Sequence, residues 1–109
     1  MIHITAQSNI LLATKPIDFR KQIDGIVAVC KHNLSQHPHS GALFVFINKS
    51  RTMIRILCYE HNGYWLATKR LSKGRYAWPK IQEMIHPLQA QALTKLLKGG
   101  LLKGGLASN

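Results

Sequence analysis

Residues 42–71 read ALFVFINKSRTMIRILCYEHNGYWLATKRL, and this stretch decides the fold. Ala42–Ile47 is an almost unbroken apolar run of strand length, the pattern of a central strand buried on both faces. Asn48-Lys49-Ser50 supplies a turn. Thr52–Tyr59 then alternates, with Ile54, Ile56 and Cys58 on one face and Met53, Arg55, Leu57 and Tyr59 on the other. His61-Asn62-Gly63 follows, and Asn-Gly tolerates the positive φ of a tight hairpin turn. Tyr64–Leu71 completes an antiparallel meander of three strands.

Working outward, Ile10–Ala13 reads as a short strand, paired with Ile2–Thr5 across a turn at Gln7-Ser8-Asn9. Lys15-Pro16 ends it, and proline suits a first helical turn. From Pro16 to about Leu34, the apolar positions Phe19, Ile23, Ile26, Val27, Cys30 and Leu34 keep helical spacing and form one buried stripe. Asp18 sits in the first turn, where it complements the helix dipole and reaches Lys21. Gly25 inside the helix points to close packing against another backbone, or to fraying. Ser35–Gly41 is a loop by composition. Downstream, Lys73–Pro79 leaves the sheet, and Pro87 opens a last helix to about Lys98. Leu96–Gly100 and Leu101–Gly105 are the same pentapeptide, so residues 101–109 read as a duplicated, disordered tail. The expected fold is α+β, one domain over residues 1–100. Its meander of three central strands is extended by short N-terminal strands, with two helices packed on one face.

The chain has 109 residues, with 15 lysines and arginines against four acids, a formal charge of +11. Asp18, Asp24, Glu60 and Glu83 are too few and too scattered for a two-metal carboxylate site or a glycosidase pair. The excess of cations predicts a polyanionic partner. It is unevenly placed: residues 49–80 carry Lys49, Arg51, Arg55, Lys69, Arg70, Lys73, Arg75 and Lys80 against Glu60 alone. Tyr59, Tyr64, Trp65, Tyr76 and Trp78 are interleaved with them. Cations hold phosphates, and aromatics either stack on bases or fill the core, the second being the more frequent role. Pairing across Asn62-Gly63 puts Arg55 and Lys69 on neighbouring strands, on a face shared with Arg51. The charges do not fall on one amphipathic helix, which argues against a membrane surface.

Other chemistry finds little support. Cys30 and Cys58 lie among apolar neighbours and read as buried free thiols, with a Cys30–Cys58 bridge as the alternative. The N-terminus lacks a basic then apolar pattern, and no run approaches the roughly 18 apolar residues of a membrane span, so a cytoplasmic protein is expected. His37-Pro38-His39 resembles the paired-histidine element of tyrosine-dependent single-strand nucleases, but proline disrupts the strand that element needs. No phosphate-binding glycine loop is present. No cofactor or metal is expected.

Three segments together resemble one family. They are Asp18-Phe-Arg-Lys-Gln-Ile-Asp-Gly25, Ser40-Gly-Ala-Leu-Phe-Val-Phe46, and Lys69-Arg-Leu-x-x-Gly-Arg-Tyr-x-Trp-Pro79, followed by a leucine-rich helix over Leu88–Leu97. Their order is similar to that of the Orf2-like accessory proteins, often called TnpB, of the IS sixty-six class of bacterial insertion sequences. The resemblance covers about residues 9–100. It implies a small non-catalytic protein encoded beside a separate transposase and needed with it. Asp18, Arg20, Lys21, Asp24 and Gly25 match the helix motif; Lys69, Arg70, Gly74, Arg75, Trp78 and Pro79 match the second. Gln22 and the duplicated tail depart from the family pattern.

Two functional expectations follow. In the first, the chain binds DNA, with Lys69, Arg70, Lys73 and Arg75 on phosphates and Arg51 and Arg55 in support. In the second, Asp18, Arg20, Lys21 and Asp24, with Trp78 in the neighbouring motif, form a surface that docks on the transposase. A metal-dependent nuclease using His37 and His39 is the third alternative, and a homo-oligomer is compatible with each.

Overall fold

The structure is a computed structural model and describes residues 2–99. Five strands, β1 (Ile10–Ala13), β2 (Leu43–Ile47), β3 (Met53–Glu60), β4 (Gly63–Arg70) and β5 (Ile85–Leu88), form one sheet in the order β4-β3-β2-β1-β5. Two helices accompany it, α1 (Ile23–Ala28) and α2 (Ala90–Leu97). α1 continues into a π-helical stretch over Val29–Asn33.

The meander expected from residues 42–71 is present: β2 pairs β3, and β3 pairs β4, both antiparallel. The rest of the sheet differs from the expectation. β1 runs parallel to β2, with Ile10 opposite Leu43 and Leu12 opposite Val45, so the sheet is mixed. Residues 2–5 form no strand. The outer partner of β1 is β5, antiparallel, with Leu11 opposite Pro87. Pro87 therefore lies in an edge strand rather than opening the last helix; an edge position tolerates the missing N–H. α2 begins only at Ala90.

All five residues of β2 are buried, and the reason corrects the placement of the helices. Leu43, Val45 and Ile47 face Leu93 and Leu96 of α2, with Ile54, Ile56, Tyr76 and Trp78. Phe44 and Phe46 face the opposite side, against Ile26 of α1 and Val29, Cys30 and Leu34 beyond it. A strand apolar on both faces needs a cover on each, and the two helices supply one apiece. They do not share a face.

The first helix also starts later than its apolar spacing predicts. The Asp18 carboxylate accepts the Arg20 backbone N–H at 2.9 Å, a local bond that competes with helix formation. Residues 16–22 stay irregular and are tied to the sheet, with the Ile17 N–H donating to the Ile47 carbonyl at 3.0 Å. Asp24, not Asp18, is the acid in the first turn of α1. A Cβ on Gly25 would lie 3.2 Å from Lys21 Cβ, so the close approach there is to the preceding turn rather than to another element. The duplicated tail lies outside the described residues.

Candidate nucleic-acid interface

The pairing brings the carboxyl ends of β1, β2 and β4 and the starts of β3 and β5 to one end of the sheet. The chain at that end is tightly fixed. Asn48 Oδ1 accepts the backbone N–H of Thr52 at 2.9 Å and of Met53 at 3.0 Å, and its Nδ2 donates to Thr52 Oγ1 at 3.1 Å. Arg51, in this turn, adopts φ 61°, a left-handed conformation uncommon for a residue other than glycine and maintained by the bonds around it. Its carbonyl accepts the Tyr76 N–H at 2.7 Å. Farther along, the Trp78 indole N–H donates to the Ala13 carbonyl at 2.9 Å in a buried bond. Residues 76–79 are thus pinned across the end of the sheet.

Between this strap and the residues that follow β1 lies a cleft of about 610 Å³. Lys15, Lys49, Arg51 and Lys80 line it, and among the described residues no carboxylate does. Ile47, Trp78 and Pro79, all buried, lie beneath it, and the half-buried Ile81 borders it. Arg51 is half-buried, while Lys15, Lys49 and Lys80 are exposed. Arg70, Lys73 and Arg75 extend the charge outward as exposed residues. Lys73 and Arg75 project from a turn centred on Gly74 at φ 76° and fastened at both ends, Leu71 N–H to the Thr52 carbonyl and Tyr76 N–H to Arg51. These cations concentrate positive potential at this end, with the Asp18 carboxylate near enough to Lys49 to feel its charge.

Two other cations of the expected set have different surroundings. Arg55 lies opposite Thr68, and Lys69 opposite Ile54, so the two side chains stand on opposite faces of the sheet. The expectation of one shared face is corrected by this register. Arg55 donates to the carbonyls of Phe19 at 2.8 Å and Lys21 at 3.1 Å and to Thr68 Oγ1 at 3.0 Å, with its guanidinium 4.7 Å from the Phe19 ring centre. The Lys69 ammonium bonds the Leu97 carbonyl at the end of α2. Lys15, by contrast, joins the cleft although it lies outside the 49–80 stretch. The signal that finds it is its place just after a strand parallel to the one preceding Lys49.

Of the helix-motif residues, Asp18 and Arg20 form a bidentate pair, with Nε 3.0 Å and Nη2 2.7 Å from Oδ2. The Arg20 side chain is 92% exposed. Its guanidinium and backbone N–H, assisted by Lys49, hold the Asp18 carboxyl well below the usual carboxylate range, and Asp18 in turn raises Arg20. Lys21 and Asp24 are exposed, and Trp78 is buried.

The aromatics divide. Tyr76 and Trp78 are core residues. Trp65 is 47% exposed near the hairpin, at the far end from the cations, with its indole N–H 2.9 Å from Glu60 Oε1. His39 stacks on Tyr59 with ring centres 3.9 Å apart, and Tyr64 meets Tyr59 edge-on. His37 precedes and His39 belongs to a 3-10 turn over Pro38–Ser40, not a strand, so they do not form the paired element of the nuclease reading. Among the described residues, no group of three or more His, Cys, Asp or Glu comes together. Cys30 and Cys58 are free thiols; burial pushes Cys30 up to about 12 and raises Cys58 as well. No described helix is long and apolar enough to cross a membrane.

A protein-family model described as IS66 Orf2 like protein matches residues 8–104. The chain belongs to the IS66 Orf2-like family. Two proteins of Sinorhizobium fredii are similar to it. Uncharacterized protein y4jC is 30% identical over 90 residues, which cover 83% of this chain and 77% of that protein. Uncharacterized protein y4hO is 30% identical over 88 residues, covering 81% and 76%. No solved structure matches. Membership makes the chain an accessory protein of an insertion sequence, and residues 18–25 and 69–79 fall inside the matched region.

Proposed function

We propose that this chain is a non-catalytic accessory protein of transposition that binds DNA through the basic end of its sheet. The observation that carries the reading is the convergence of Lys15, Lys49, Arg51 and Lys80 on one cleft with no carboxylate among the described residues that line it. Arg70, Lys73 and Arg75 form the rim, placed to follow a phosphate backbone beyond the cleft. Burying or crowding like charges is costly, and a counter-anion relieves it. The family's place in insertion sequences, whose substrate is DNA, supports the same partner.

A gel-shift assay with element-end DNA across a salt series tests this. Binding is expected to weaken steeply, with log affinity falling by about 0.9 per log unit of salt for each phosphate neutralised. Binding that is absent, or that salt leaves unchanged, overturns the proposal.

A second surface supports docking on the transposase. The Asp18–Arg20 pair, with Lys21 and Asp24 beside it, presents fixed charges of both signs in a pre-ordered turn. A pull-down with the cognate transposase should lose retention on Arg20→Glu. Retention unaffected by Arg20→Glu and by Arg75→Glu removes this reading.

A further inference from the structure

The sheet has two edges, and they are not alike. β5 has four residues, one of them Pro87, and offers little for another strand to pair with. β4 has eight residues, no proline and an unbroken register against β3 from Gly63 to Arg70. Gly63 closes the hairpin opposite Glu60, and at the other end the Leu71 N–H donates to the Thr52 carbonyl at 2.9 Å. In an antiparallel ladder, alternate residues turn their main-chain groups toward the neighbouring strand. The odd-numbered residues of β4 therefore bond β3, while Tyr64, Leu66, Thr68 and Arg70 turn theirs outward. Among the described residues, no backbone group meets them there. Such an open edge is a template for a further strand. Trp65, 47% exposed, stands on the same strand, an aromatic surface of the kind that interfaces cover.

The two ends of β4 differ in chemistry. Tyr64 and Trp65 begin it, with the Trp65 indole on Glu60, and Lys69 and Arg70 finish it. A parallel copy would set cations beside cations. An antiparallel copy, related by a two-fold axis at Ala67, sets Lys69 opposite Trp65 and Arg70 opposite Tyr64, each cation beside a ring. Leu66 then stands opposite Thr68, and the outward main-chain groups meet in the alternation that a ladder needs.

We propose that the chain forms a two-fold dimer by antiparallel pairing of β4 with β4 of a second copy, which joins two five-stranded sheets into one. The axis turns the basic ends of the two copies in opposite directions, so one dimer presents two separate clefts.

Light scattering of the full chain across a dilution series, at about 0.3 M salt to screen its net charge of +11, reads the mass in solution. A dimer is expected. Ala67 is exposed and lies on the axis, so Ala67→Lys sets like charges opposite each other and is expected to weaken the dimer about tenfold without disturbing the fold. Ala67→Cys sets two thiols at a non-hydrogen-bonded pair, about 4.5 Å apart at Cα and within disulfide reach. Diamide, which takes two electrons from the two thiols, is expected to lock that variant as a covalent dimer. The unaltered chain, with Cys30 and Cys58, and Gln91→Cys on the exposed side of α2 are expected to stay unlinked. A monomer at every concentration overturns the inference, including one whose Leu66 and Thr68 amides resist exchange because the chain covers its own edge. A dimer that Ala67→Lys leaves intact, that Ala67→Cys fails to lock, or that Gln91→Cys locks equally well uses another surface and overturns it too. No nucleic acid enters the experiment, so each of these failures leaves the DNA-binding reading standing.

Discussion

Arg55 stitches the irregular segment before α1 to the sheet. It is a cation used for structure, since two backbone carbonyls, a threonine hydroxyl and a phenyl ring occupy its guanidinium. Arg55→Ala leaves those two carbonyls without their donor, and urea unfolding should show a loss of about 1–3 kcal/mol. Arg55→Lys should recover only part of it, because an ammonium cannot reproduce the planar fork. Nothing in the sequence separates this arginine from Arg51; the distinction lies in the register that sets it opposite Thr68. Cys30 carries a different residue-scale consequence. Its thiol is buried and stays protonated to about 12, whereas an unfolded thiol ionises near roughly 8.5. Between those values the folded state binds the extra proton, so stability falls as pH rises. The urea midpoint should be lower at about pH 9.5 than at about pH 7.5, and Cys30→Ala should shrink that difference.

At the scale of elements, Lys69 belongs to α2 as much as to β4. Its ammonium meets the Leu97 carbonyl, where the helix leaves acceptors unpaired and its dipole is negative. Lys69→Ala should speed amide exchange within α2 by about two- to fivefold while leaving exchange in β2 unchanged. The elements differ in how far their sequences disclose them. β3 and β4 carry alternation and an Asn-Gly turn, both local signals, and they stand as read. β5 does not, because four residues containing a proline have no period to detect and only an edge position makes them a strand. The parallel partner of β1 is equally hidden: it is chosen by a crossover through α1, not by neighbouring residues. The apolar run of β2 announces two covered faces, and taken seriously it demands helices on both. The late start of α1 has a chemical cause, the Asp18 carboxylate turning back to Arg20.

Across the whole molecule, the concentration of cations in residues 49–80 was legible as charge, but not as a shape. Two of them serve the fold, and the cleft recruits Lys15 from the other side of the first crossover. Lys49→Ala and Lys80→Ala touch exposed side chains, so each should change stability by less than about 0.5 kcal/mol. Each should also flatten the salt dependence of DNA affinity by about one phosphate contact, measured by anisotropy. Arg55→Ala should show the reverse pattern, with stability lost and the slope kept. The cleft draws its cations from three distant stretches of chain, so it exists only when β1, β2 and the 76–79 strap are assembled. An unfolded chain retains the charges and loses their convergence. Occupancy is therefore a vote for the native state: at a hundredfold excess over the dissociation constant, a ligand specific to the folded form adds about 2.7 kcal/mol. A melting curve should rise with added element-end DNA, and rise less in Lys80→Glu. The nucleic acid would then act as a chaperone of sorts, sparing from proteolysis the copies already engaged on an element and leaving the idle ones exposed.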